Sequence, residues 1–161
     1  MNDLIENNLI SLGYLLVQMA VAWALLFILL RFVMSKVFAV WFVNGYMLNA
    51  VITAIFFSLG FQLNLLQDAG FKELVVFQLI GLNLVVVPCF YWLDKKKARS
   101  LTATRIPEGV LHTFSFVGGA VGALASQKVF RHKTAKEGFR KKTWVALMLN
   151  ILLFYALSLT V

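Results

Sequence analysis

Five stretches of this chain carry no Lys, Arg, Asp or Glu: residues 9–30, 37–67, 74–93, 109–127 and 143–161. A bilayer's hydrocarbon core asks for about 20 apolar residues per helix, so each stretch is as long as a crossing requires or close to it. The runs and their short connections use up nearly all of the 161 residues, which leaves no space for a separate soluble domain. Charged residues make up 14% of the chain, against roughly 25% in soluble domains, and mean hydropathy is +0.84. The chain reads as an all-α integral membrane protein.

Asp3 and Glu6 stand where a secretory signal would carry Lys or Arg, and no small-residue cleavage site follows the first run, so the first helix is expected to be retained. Cys89 is the only cysteine. It excludes a disulfide framework and a cysteine-type zinc site, and is expected to be a small buried hydrophobe.

Short loops rich in Lys and Arg mark the cytoplasmic side of a membrane protein. Arg31 and Lys36 separate the first two runs, whereas the connection 62–73 holds Asp68, Lys72 and Glu73 and is net negative. Two basic blocks follow: Lys95, Lys96, Lys97, Arg99 and Arg105, then Lys128, Arg131, Lys133, Lys136, Arg140, Lys141 and Lys142. With the amino terminus outside, the first three runs alternate as the rule asks. The fourth lies between two basic blocks, so a crossing there would put one of them outside.

We therefore expect four transmembrane helices plus a fifth apolar helix, 107–128, that is re-entrant or lies against its neighbours at the inner face in preference to spanning. Residues 1–73 are read as an N-terminal two-helix hairpin, and 74–161 as a membrane domain with basic cytosolic boxes. Pro107 and Glu108 suit a helix start. Helical spacing then aligns Glu108, His112, Ser115, Gly119, Gly122 and Ser126 on one side, and Val110, Phe114, Val117, Val121 and Leu124 on another. Small residues at Gly118, Gly119 and Gly122 let helices approach closely. Non-helical backbone at that depth would need protein or water around it.

Four boxes carry a resemblance. "DKKKA" at 94–98, "RIPEGVLH" at 105–112, "GGAVG" at 118–122 and "RHKTAKEGF" at 131–139 occur in this order. Over about 74–161 the chain resembles the bacterial domain-of-unknown-function family numbered 1294. That pattern joins an Asp-Lys pair after a membrane helix, an Arg-x-Pro-Glu box, a double glycine and a His-Lys-Thr-x-Lys-x-x-Phe box. The resemblance implies a small multi-pass protein of the bacterial cytoplasmic membrane, and implies no reaction or cofactor.

Basic blocks serve topology and attract anionic lipids. Topology does not require Asp94, Glu108, His112 and His132, however, and their presence suggests a site for a phosphate-bearing ligand, a lipid headgroup or a nucleotide. The candidate anion ligands are Arg105, Arg131, His132, Lys133 and Lys136, with Asp94, Glu108 and His112 orienting them. Glu108 and His112, spaced i, i+4, are placed to meet on one helical face. An alternative is a small membrane enzyme, since "RHK" resembles the Arg-His-Pro box of isoprenylcysteine and phospholipid methyltransferases, with Lys133 in place of the Pro and no Tyr following. The histidines and carboxylates lack zinc-site spacing, and "GGAVG" inside an apolar helix is no dinucleotide fingerprint. Asn44, Asn49, Gln78, Asn83 and Asn150 are expected to hydrogen-bond between helices. Phe130, Phe139 and Trp144 offer little stacking surface for nucleic acid, and lipid phosphate is the nearer polyanion. Oligomeric state is not legible.

Overall fold

Ser35 sets the start of the first long helix: its Oγ accepts the backbone N–H of Phe38 at 3.3 Å, satisfying a donor that the first turn leaves open. The computed structural model describes residues 27–62, 71–99, 105–134 and 136–160, together with Val21, Ala24 and Leu25. Most of the first apolar run, which is the first helix of the expected N-terminal hairpin, and the connection around Asp68 lie outside the described residues. We label the helices α1 (Lys36–Gln62), α2 (Phe71–Gly81), α3 (Val87–Ala98), α4 (Glu108–Phe114), α5 (Ala120–Phe130) and α6 (Glu137–Thr160). Wider π-helical turns, Leu82–Val86 and Ser115–Gly119, join α2 to α3 and α4 to α5.

Among the described residues three helical stretches are long and apolar enough to cross a membrane: Lys36–Gly60, Glu73–Ala98 and Glu108–Phe130. Large apolar side chains lie exposed along them and along α6, among them Ile55, Leu84, Val121, Val145 and Leu152. So much exposed apolar surface is what lipid covers and water does not. The Leu82–Val86 turn lies directly before Pro88, which has no N–H to donate and whose ring would crowd the carbonyl one turn back. The widened turn accommodates both effects while the helical stretch continues from Glu73 to Ala98.

The third stretch is not one helix. Gly118 has φ 121° and ψ −6°, outside the helical region and open to glycine at little cost. There the chain reverses. From Gly118 onward α5 climbs beside α3 in the same direction: Gly122 meets Asn83, Gln127 meets Tyr91, and Phe130 meets Lys95. On the other arm α4 descends, with Glu108 at the level of Lys133 and Phe114 against Phe90. An unbroken helix from Glu108 to Phe130 would hold its ends roughly 33 Å apart. Instead Lys136, just past α5, grips Glu108 at 2.8 Å. The small-residue stripe expected along 107–128 is buried at Ser115, Gly119, Gly122 and Ser126, whereas the bulky face is divided. Val110 and Phe114 are buried, while Val117 and Val121 on the same notional face are exposed.

Broken backbone inside an apolar bundle needs replacement partners, and two asparagines supply them. Asn83 Nδ2 donates to Gly118 O at 2.8 Å, and its Oδ1 accepts from Gly122 N–H at 2.7 Å. Asn150 Nδ2 donates to Ser115 O at 3.2 Å and Phe116 O at 3.1 Å. The expected interhelical role of these amides holds, and Asn49 likewise joins α1 to α2 through Gln78 Oε1 at 2.7 Å. Asn44 is exposed. From Leu82, beside the reversal, to Lys95 the rod is roughly 20 Å long, so the hairpin reaches deep into the bundle.

All of these elements share one core. Phe38 of α1 packs with Phe90 and Tyr91 of α3, Val110, Leu111 and Phe114 of α4, and Phe139 of α6. Cys89 departs from expectation: it is exposed, because it falls on the outward side of α3 between the buried Val86 and Phe90.

Candidate functional site

The reversal returns the chain to the end of the bundle where α3 stops, and there the polar residues of the boxes meet. Asp94 is fully buried, one turn before α3 ends. Its Oδ2 accepts from His132 Nε2 at 2.9 Å and forms an ion pair with Lys133 Nζ at 2.7 Å. Lys133 also stands 3.9 Å from Glu108 Oε1, and Lys136 closes the chain of charges with both oxygens of Glu108 at 2.8 and 2.9 Å. Two carboxylates, Asp94 and Glu108, thus answer the ammonium groups of Lys133 and Lys136.

Local backbone aims these side chains. Arg131 ends α5 at φ 46°, with His132 N–H reaching back to Gln127 O at 3.2 Å, the pattern of a left-handed helix stop. Lys133 is left-handed as well, at φ 59°. Such a conformation costs a residue with a Cβ roughly 1–2 kcal/mol, and two fall within three residues. The turn they make swings His132 and Lys133 back over Asp94, whose charge pairing offsets the strain.

Beneath the cluster a polar ladder continues inward. Gln127 Nε2 donates to Thr143 Oγ1 at 2.9 Å and to Tyr91 OH at 3.3 Å, and Thr143 Oγ1 donates to Phe139 O at 3.1 Å. Phe139 is the hub, with His112 4.2 Å away between ring centroids, Tyr91 edge-on at 6.2 Å and Lys133 Nζ 5.0 Å above its face. The Phe of the last box therefore supports both the imidazole and the ammonium.

The expected meeting of Glu108 with His112 does not occur. Glu108 turns both oxygens to Lys136, and the buried Nδ1 of His112 has no hydrogen-bond partner among the described residues. Asp94 Oδ1 is likewise buried without a partner there. Asp94 and Glu108 do pair with box cations, as the orienting role requires. Arg105 and Arg131 point outward and are exposed, forming no ion pair among the described residues. Of the packing glycines, Gly118 makes the reversal. Gly119 and Gly122 make close contacts, where an added Cβ would stand 2.7 Å from Val87 Cγ2 and 2.8 Å from Asn83 Cα. Among the described residues no three His, Cys, Asp or Glu side chains gather as a set able to hold a metal ion.

A second feature of this end was not singled out in the sequence. Trp92, Lys95, Lys96 and Arg99 of α3 and Phe130 of α5 line an open groove of about 230 Å³. Lys95 Nζ donates to Phe130 O at 2.6 Å, tying the ends of the two helices, and Lys96 lies 5.2 Å over the Trp92 ring. The spacing of 92, 95, 96 and 99 is the i, i+3, i+4, i+7 pattern of one helical face, which is the signal that finds it.

Residues 83–139 match the family described as a protein of unknown function, DUF1294. The match begins at Asn83, which clamps the reversal, and ends at Phe139, the hub of the cluster, so it is narrower than the 74–161 suggested by the boxes. No curated protein and no solved structure matches the chain.

Proposed function

We propose that the protein is a multi-pass membrane protein of the bacterial cytoplasmic membrane, with its basic end in the cytosol, and that it binds the phosphate of an anionic lipid headgroup there. The α4–α5 hairpin is re-entrant in this reading, entering and leaving from the cytosolic side. Every basic block then lies on one side, which removes the conflict that a spanning segment creates with the charge rule.

One observation carries the binding assignment: positive charge at this end is divided into compensated and uncompensated sets. Lys133 and Lys136 are neutralised by Asp94 and Glu108. Lys95, Lys96, Arg99, Arg105 and Arg131 form no ion pair with a carboxylate among the described residues. The buried cluster fixes the hairpin, and the outer cations are left to meet an anion. A membrane surface presents phosphate at that level, and each Lys or Arg near it contributes about 1 kcal/mol.

Native mass spectrometry of the gently purified protein tests this. A retained anionic phospholipid is the expected result. A retained nucleotide or methyl-donor cofactor, or no retained molecule under conditions that preserve the fold, would overturn it.

A further inference from the structure

We infer that the groove between the ends of α3 and α5 is the headgroup site, and that its occupant is an anionic phospholipid of the surrounding leaflet. This rests on the lipid-binding reading above and names the place and the source. The groove offers three cations from one helical face, Lys95, Lys96 and Arg99, with the aromatic walls Trp92 and Phe130. Lys95 is held in place by Phe130 O, so part of the site is preorganised. At about 230 Å³ the groove is smaller than the roughly 300–1,000 Å³ of pockets that enclose drug-sized ligands. It suits a phosphate with its glycerol, and the base and ribose of a nucleotide would extend outside it.

The apolar half of such a ligand also has a place. Three residues before Trp92 and on the same side of α3, Cys89 is exposed, and Trp92 itself is 48% exposed. An acyl chain descending from the groove runs along this side toward the bilayer centre. The arrangement joins a polar head to an apolar track, which a soluble phosphate does not need. Trp at the headgroup level is the usual membrane-interface residue.

The test uses the purified full chain in neutral detergent, titrated with phosphatidylglycerol and, as comparator, phosphatidylcholine, with bound fractions read by native mass spectrometry. Lys96→Gln with Arg99→Gln should weaken phosphatidylglycerol binding about 30-fold, on the basis of two cations near a phosphate. Both side chains are exposed, and Lys95 keeps its structural bond. Arg140→Gln with Lys142→Gln, two exposed residues near the start of α6 that do not line the groove, removes equal charge from the same end and should weaken it less than about 3-fold. Phosphatidylglycerol carrying a photoreactive acyl chain should attach to the peptide containing Cys89 in the unsubstituted protein. Equal losses in the two double variants, or attachment only elsewhere, would overturn the groove assignment while leaving lipid binding intact. Displacement of the lipid by inorganic phosphate or a mononucleotide would overturn the lipid source. No preference for phosphatidylglycerol over phosphatidylcholine would instead remove the lipid-binding reading itself.

Discussion

Gly122→Ala, the addition of a single methyl group, should cost about 3 kcal/mol or more and sharply reduce the yield of folded protein. The new Cβ would meet backbone of the neighbouring rod, 2.8 Å from Asn83 Cα and 3.0 Å from its carbonyl carbon, with Asn83 O nearer still. A flexible side chain can turn aside, but backbone cannot, so α5 must move away from the π-helical turn. That movement also stretches the 2.7 Å bond from Gly122 N–H to Asn83 Oδ1. Gly138→Ala provides the matched comparison. It lies in α6 with nothing within 4 Å of an added Cβ, and Ala is favoured over Gly in a helix by roughly 0.5–1 kcal/mol. Thermal unfolding in detergent should show the first variant strongly destabilised and the second unchanged or slightly stabilised. Equal melting behaviour would remove the close-approach account of the hairpin.

Lys133→Met should destabilise the protein by about 3–5 kcal/mol, because it leaves the fully buried Asp94 without its ammonium partner. His132 remains at 2.9 Å on the same oxygen, so Asp94 keeps one of the two partners it has among the described residues. Adding Asp94→Asn to Lys133→Met removes the stranded carboxylate, and the double variant should recover a large part of the loss. Chemical unfolding of the three variants forms a double-mutant cycle. A double variant as unstable as the sum of the singles would mean that the two residues are not coupled. The left-handed backbone at position 133 is kept by Met as by Lys, so the loss read from Lys133→Met is that of the charge and not of the strain.

Much of this architecture is written in the sequence, though unevenly. Charge-free runs of membrane length announce the helices, and the two basic blocks flanking 109–127 led to the expectation that both ends of that segment lie together, as the contact of Lys136 with Glu108 has them. The pairing of Asp94 and Glu108 with cations of the last box was also legible, because topology alone does not require carboxylates beside basic blocks. The reversal at Gly118 was not. Two glycines within an apolar stretch read as close packing, and only Asn83 and Asn150, distant in sequence, make broken backbone tolerable there. Glu108 and His112 were misjudged for a related reason: i, i+4 spacing brings them within reach, but Lys136 arrives from another element with a full charge and wins the carboxylate. Cys89 was misjudged because a lone thiol in an apolar run says nothing of which side of the helix it occupies. The groove was overlooked because "DKKKA" looks like a topology signal until Trp92 and Arg99 are placed on the same face as Lys95 and Lys96.

The account stands most directly on the side of the membrane to which the hairpin returns. In a Cys89→Ser background, Ala98→Cys at the end of α3 and Thr134→Cys in the last box place single thiols before and after the hairpin, at residues that are both exposed. Asp68→Cys, in the connection that the charge rule puts outside, serves as the accessible reference. With an impermeant thiol reagent on intact cells, position 68 should react while 98 and 134 are both shielded, and both should react once the cytoplasmic side is opened. Reaction at 134 but not at 98 in intact cells would mean that residues 108–130 cross the membrane, and would contradict the re-entrant hairpin.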